Sequence, residues 1–153
     1  MALGVDINAN VAGIPGSGTY PNYFTHTVDI AKYTVAVLGI KKWETKYFIV
    51  GDTKTWNEFV SIAEEAKGVK FEVTYDPIEK LKKGEITELP GHKAVYEMFG
   101  GEAAKPMFQQ MVAQLSVWMA EGQMKYKGPF LNEMFPDIKP VTVHQAFSKA
   151  SSA

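Results

Sequence analysis

The hydrophobic pattern changes period several times along the chain, and each change marks an element. Phe59, Ile62, Ala63 and Ala66 recur at helical spacing. They lie between Thr55-Trp56-Asn57-Glu58, a capping box, and Gly68, a C-terminal stop, so a helix spans these residues. Val69, Phe71, Val73 and Tyr75 then alternate with more polar residues, which predicts a strand with one buried face. Tyr47-Phe48-Ile49-Val50 is apolar at every position and ends at Gly51, the pattern of a strand covered on both faces in a parallel sheet.

Weaker signals place the other elements. Val5 to Ile14, broken by Asn8 and Asn10 and stopped by Pro15-Gly16-Ser17-Gly18, reads as a short hairpin. Tyr23 to His26 is strand-like and leads to Thr27 as N-cap of a helix to Leu38, with Asp29 in its first turn. Ile30, Ala31, Thr34, Val35, Val37 and Leu38 cover much of that helix's circumference, so contact on more than one side is expected. Asp76-Pro77 starts a short helix, with Asp76 as cap, Glu79 completing the box and Gly84 ending it. Helices follow over about 91–99 and 104–121, the second with Phe108, Met111, Val112, Leu115, Trp118 and Met119 on one face. Thr142-Val143-His144-Gln145 is a further capping box and opens a terminal helix to about Lys149.

Composition narrows the classes. At 153 residues the chain is one domain's length, and 46% hydrophobic with 22% charged residues is ordinary for a folded protein. The net charge is −1 and the basic residues are scattered, so neither nucleic acid nor an anionic membrane is an expected partner. All 16 basic residues are lysine, which removes the bidentate guanidinium grip on phosphate or carboxylate. The chain has no cysteine, hence no disulfide or thiolate chemistry, and a cytoplasmic setting is expected. Its first residues have no basic segment followed by an apolar stretch, so no signal peptide is read there.

Candidate chemistry is sparse. Gly13, Gly16 and Gly18 invite comparison with a dinucleotide loop, but Pro15 interrupts them and Pro21 follows, so a hairpin turn is the expectation. His26, His92 and His144 lie in separate elements without the i, i+4 spacing of paired metal ligands, and no metal site is expected. His26 near Asp29 could act as an acid or base, and the same pair is what a capping network at a helix start requires. No Gly-x-Ser-x-Gly elbow and no carboxylate dyad is present. Met98, Phe99, Met107, Phe108, Met111, Trp118 and Met119 form a flexible apolar group that could be helix core, the lining of an adaptable pocket, or both. The candidate pocket residues are therefore His26, Met98, Phe99, Met107 and Met111.

Val11-Ala12-Gly13-Ile14-Pro15-Gly16-Ser17-Gly18, Phe24-Thr25-His26-Thr27-Val28-Asp29-Ile30-Ala31, Tyr47-Phe48-Ile49-Val50-Gly51-Asp52, Thr55-Trp56-Asn57-Glu58-Phe59, Val73-Thr74-Tyr75-Asp76, Met98-Phe99-Gly100-Gly101 and Leu131-Asn132-Glu133-Met134-Phe135-Pro136 occur in the order of landmarks in NmrA-like proteins. Over nearly its whole length the chain resembles the C-terminal, substrate-side half of that isoflavone-reductase-like family. The resemblance implies an α/β fold, an incomplete Rossmann-like domain with late sheet strands and a mostly helical substrate-binding lobe. Residues 1–153 would form the C-terminal portion, with about 20–51 associated with the sheet and about 52–150 forming the lobe. In the full-length family NADP is bound by a glycine-rich loop, and reductases use a lysine, both in the first half. Neither has a counterpart here, so no cofactor and no catalytic residue is expected for this chain alone.

The resemblance leaves three functional readings open. One is the substrate side of a reductase acting on a small conjugated carbonyl compound, inactive by itself. Another is a non-catalytic, dinucleotide-sensing regulator, and the third is a free-standing small-molecule binding module. An exposed sheet edge would favour association with a partner.

Overall fold

The computed structural model describes residues 3–150. In chain order its elements are β1 Val5–Asp6, β2 Val11–Pro15, β3 Asn22–Phe24, α1 Thr27–Leu38, β4 Asp52–Lys54, α2 Trp56–Lys67 and β5 Glu72–Asp76. A mostly helical remainder follows: α3 Ile78–Leu81, α4 His92–Met98, a 3-10 turn Gly101–Ala104, α5 Lys105–Ala120, α6 Leu131–Met134 and α7 Val143–Ala150. The fold is α/β, an incomplete Rossmann-like arrangement. No helix among the described residues is long and apolar enough to cross a membrane.

The expected hairpin is β1 antiparallel to β2, with Val5 opposite Ala12. Its turn is tied by the Asp6 carboxylate, which accepts the Asn8 and Ala9 amides at 3.1 Å each, an aspartate turn that competes well with regular structure. β2 also pairs in parallel with β5, from Val11 opposite Glu72 to Pro15 opposite Asp76. Parallel neighbours need a long crossover, and α2 lies within it. Val5, Ala12, Ile14, Trp56, Val60, Ala63 and Phe71 form the core between this sheet and α2.

Helix α2 starts and stops where its sequence says. Thr55 Oγ1 accepts the Glu58 amide at 3.1 Å, Glu58 Oε2 accepts the Thr55 amide at 2.7 Å, and Gly68 closes the helix at φ +66°. Its deepest face is Trp56, Val60 and Ala63; of the face read from sequence, Ala63 is fully buried, Phe59 packs at the margin of the core, and Ile62 and Ala66 are half-buried. Thr142 and Gln145 form the second capping box, at 3.2 Å and 3.0 Å.

Four expectations are corrected. Tyr47 to Val50 is not a sheet strand. It makes one isolated parallel bridge, Phe48 to Phe130, and the Asn132 side chain binds both backbone groups of Val50. The apolar run instead feeds a separate cluster, in which Tyr47 and Ile49 pack against Tyr33, Val37 and Leu131. Pro15 to Gly18 is not a hairpin turn, because β2 and β3 belong to different sheets and the segment links them. The N-cap of α1 is His26, whose Nδ1 accepts the Val28 amide at 3.2 Å, and Thr27 is already helical. Asp76 does not cap α3, where Pro77 holds the cap position without a side-chain bond. Its buried carboxylate instead accepts from Lys80 Nζ at 2.6 Å, and from the Thr87 amide and hydroxyl at 2.7 Å each.

Helix α1 buries Asp29, Tyr33 and Val37, while Val28, Ile30, Val35 and Leu38 remain exposed. The apolar circumference anticipated from sequence is present, and within this chain only one side of it is covered.

Candidate functional site: an apolar groove between two helices

Helices α4 and α5 are joined by a tight reversal at Gly100 (φ +114°) and Gly101 (φ +73°), conformations that side-chain-bearing residues rarely adopt. The 3-10 turn Gly101–Ala104 then feeds α5, which opens with Pro106 in its first turn. The two helices meet over Val95, Tyr96, Phe108 and Val112, a buried cluster that also receives Leu3 and Ile86. Aromatic edges lock it: Tyr96 and Phe108 lie 5.5 Å apart and His92 and Phe108 5.1 Å apart, both edge-on. His92 is fully buried, and its Nδ1 accepts the Leu89 amide at 3.2 Å.

Above this floor is a groove of about 270 Å³, lined by carbon from Val95, Tyr96, Phe99, Ala104, Met107, Phe108 and Met111. Its walls are exposed side chains, with Phe99 at 63%, Met107 at 67% and Met111 at 55%. Such exposure is unusual for large apolar groups in so tight a cluster and is what a surface awaiting an apolar ligand shows. One lip is charged. Lys105 Nζ pairs with Glu88 at 2.6 Å and stands 5.8 Å above the Tyr96 ring. Burial, followed by the charge of Glu88, pushes the Tyr96 phenol above its ordinary pKa, so it stays protonated at neutral pH.

The residues singled out from sequence fall in three places. Phe99, Met107 and Met111 share this groove. Met98, 78% exposed, is not part of its lining and belongs to a neighbouring depression of about 530 Å³, with Asp6, Ile7 and Gly91, that shares Val95 and Phe99 with the groove. His26 belongs to neither, because it sits at the start of α1. The spacing missed Val95, Tyr96 and Ala104, the groove's floor. Val95 and Tyr96 precede Met98-Phe99 by one turn, and that helical offset is the only sequence signal for them.

The glycine segment after β2 has its amides turned to partners within the chain. The Gly16 amide donates to Asp76 O at 2.9 Å and the Gly18 amide to Pro15 O at 3.2 Å, while Gly18 O accepts the Asn57 amide. The chain then runs into β3 rather than a helix. Those amides are committed, and this loop does not form a pyrophosphate cradle. No group of three His, Cys, Asp or Glu side chains among the described residues could hold a metal ion.

The parallel pairing of β2 with β5 across α2 is the β-α-β unit of a Rossmann-like sheet, here followed by a mostly helical lobe with an open apolar groove. Comparison with known proteins agrees. The chain is 34% identical over 143 residues to Oxidoreductase BOA1 of Botryotinia fuckeliana, covering 92% of this chain and 43% of that protein. It is 28% identical over 145 residues to Oxidoreductase swnN of Metarhizium robertsii, covering 94% and 42%. Among solved structures, the binary complex of leucoanthocyanidin reductase with NADPH from Vitis vinifera matches with a TM-score of 0.68 at 16% identity, over 94% of this chain and 47% of that one. An isoflavone reductase matches with a TM-score of 0.64 at 17% identity, over 92% and 42%. No family model matches the chain. The chain is thus similar to part of curated oxidoreductases, and its fold is that of part of the leucoanthocyanidin and isoflavone reductase structures. It spans less than half the length of the curated relatives it matches.

Proposed function

We propose that the chain supplies the substrate side of an NAD(P)H-dependent reductase, with the α4–α5 groove receiving the apolar body of a small conjugated carbonyl compound. The observation that carries this reading is the carbon-only lining of Phe99, Met107 and Met111 in a chain whose sequence relatives are oxidoreductases. Burying one ring there removes apolar surface from water on both partners, at about 25 cal/mol per Å². The methionines adapt their rotamers to the ligand's outline. The chain's own share of the reaction is binding, orientation and exclusion of water, and hydride delivery requires a dinucleotide held by other residues. The chain by itself is therefore inactive.

The test is a titration of the chain with chalcone, a two-ring conjugated ketone, followed by the methionine methyl NMR signals. Met107 and Met111 should shift, and Met111→Glu should weaken binding about tenfold or more by placing a charge in the carbon wall. NADPH should bind no more tightly than about millimolar, since neither a free glycine loop nor arginine is present. Chalcone leaving both methyl signals unmoved would remove the groove from the reading. NADPH oxidation by the chain alone would overturn the division of labour.

A further inference from the structure

A second cavity, of about 300 Å³, opens where the end of β3, α2 and α7 meet, and it shares no lining residue with the α4–α5 groove. Phe24, Phe59, Phe147 and Ala146 give it carbon walls, and His26 stands on its lining at the start of α1. We propose that this cavity is a separate small-molecule site for a neutral, planar aromatic compound of one or two rings bearing a hydrogen-bond acceptor. The proposal goes beyond the reductase reading and does not rest on it.

Three observations define the ligand. The walls are aromatic and already arranged by one another. Phe24 and Phe59 stack at 5.0 Å, and Phe59 meets Phe147 edge-on at 5.5 Å. Flat aromatic walls around a volume at the small end of ligand pockets admit one or two fused rings. Next, His26 is fixed in one tautomer. Its Nδ1 accepts the Val28 amide at 3.2 Å, so in the neutral ring the proton resides on Nε2, which makes that atom a donor. Thr25, by contrast, is engaged with its own surroundings, donating to Ile49 O at 3.3 Å and accepting the Gly51 amide at 3.2 Å. Finally, two carboxylates stand behind the wall formed by residues 141–143. Asp29 accepts the Val141 amide at 2.6 Å and Asp52 the Val143 amide at 2.9 Å. Both are already paired, Asp29 with Lys32 at 2.8 Å and Asp52 with Lys54 at 3.9 Å, and no lysine lines the cavity, so an anion would enter without a counter-charge, which leaves a neutral acceptor such as a ketone or aldehyde.

The site contains its own reporter. Trp56 touches two wall residues, Phe24 at 5.3 Å and Phe59 at 5.6 Å. The experiment compares acetylnaphthalene with ethylnaphthalene, which match in shape but differ by the carbonyl acceptor. The full chain is observed by amide NMR and by Trp56 fluorescence, with the exposed Trp43 and Trp118 replaced by phenylalanine. Both compounds should shift the signals of His26, Phe59, Ala146 and Phe147, and the ketone should bind about fivefold more tightly, the worth of one net hydrogen bond. His26→Asp keeps a side-chain cap on α1 but, as an acceptor-only carboxylate, offers no donor, so it should abolish that preference while both compounds still bind. Ala146→Leu should block both. Absence of shifts at these residues at millimolar probe, shifts confined to Met107 and Met111, or a ketone preference that survives His26→Asp would each overturn the proposal.

Discussion

Asn132→Ala should be among the more damaging single substitutions in the chain, although residue 132 lies outside the main core. Asn132 Oδ1 accepts the Val50 amide at 3.0 Å, and its Nδ2 donates to Val50 O at 2.8 Å and to the Tyr33 hydroxyl at 3.1 Å. One amide thus replaces the strand that the Tyr47 to Val50 run does not have. Three bonds at about 1 kcal/mol net each would give about 3 kcal/mol, and the partial exposure of this segment lets water re-satisfy part of the loss. The expected destabilisation is about 2 kcal/mol, or about 6 °C in the thermal midpoint for a chain of this size. Urea denaturation followed by circular dichroism measures it, and hydrogen exchange at the Val50 amide should accelerate in parallel. Asn132→Asp keeps the acceptor but loses both donors and sets a charge against Val50 O, so at neutral pH it should be no better than alanine. A loss under about 0.5 kcal/mol for Asn132→Ala, with exchange at Val50 unchanged, would refute the reasoning.

The other expectations are simpler. Thr55→Ala should cost about 1 kcal/mol by removing the N-cap of α2, lowering the urea midpoint without changing the slope. Gly18 and Gly68 share nearly the same φ, at +68° and +66°, but a Cβ on Gly68 meets nothing while one on Gly18 would clash with Asn57 Oδ1 and lie 2.7 Å from Ile14 Cγ2. Gly68→Ala should therefore cost about 1 kcal/mol and Gly18→Ala clearly more, and equal losses would contradict the packing described. Asp29 is buried, which alone would raise its pKa, yet Lys32 at 2.8 Å and the Val141 amide hold its carboxyl below the ordinary aspartate value. Its contribution is therefore present above about pH 4 and lost as pH falls through the lower folded value, so Asp29→Asn should flatten the acid limb of a stability–pH profile.

Local chemistry was legible in the sequence where it is self-contained. The Thr55/Glu58 and Thr142/Gln145 boxes, the Gly68 stop and the Val5 to Ile14 hairpin each depend on residues close together in the chain, and each forms as written. The parallel pairing of β2 with β5 was not legible, because it joins Val11 to Glu72 and nothing local to either specifies the partner. Tyr47 to Val50 misled for a related reason. A short apolar run states that it will be covered, and here it is covered partly by Leu131 and the α1 residues Tyr33 and Val37. Asp76 misled because aspartate before proline is a good cap by composition, whereas Thr87, eleven positions later, gives the carboxylate two better donors. Of the groove, the flexible wall residues stood out by type, and its floor did not, since Val95 and Tyr96 look like any helix core.

The small sheets leave much of this chain without ladder hydrogen bonds, and buried or half-buried carboxylates take over part of that work. Asp6 accepts the Gly91 amide at 2.7 Å and so anchors the start of α4, and with it the floor of the groove, to the β1–β2 hairpin. Asp29 and Asp52 each accept one amide of the segment that opens α7, Val141 and Val143, across 112 and 91 residues of sequence. A charge-assisted bond to a backbone amide is stronger than an amide–carbonyl bond, and closing loops of this length carries a large entropic cost. These contacts therefore fix where each cavity wall stands more than they add to net stability. The wall formed by residues 141–143 has no strand partner among the described residues, so its position beside Phe59 and His26 depends on the amide bonds that Asp29 and Asp52 accept. Protonating Asp29 weakens its hold on the Val141 amide and touches neither the β2–β5 sheet nor the α4–α5 cluster. Because Lys32 and the Val141 amide hold the Asp29 carboxyl below the ordinary aspartate range despite its burial, the Val141 end of this wall should loosen only as pH falls through that lower value, and amide exchange at Val141 along the acid limb measures it.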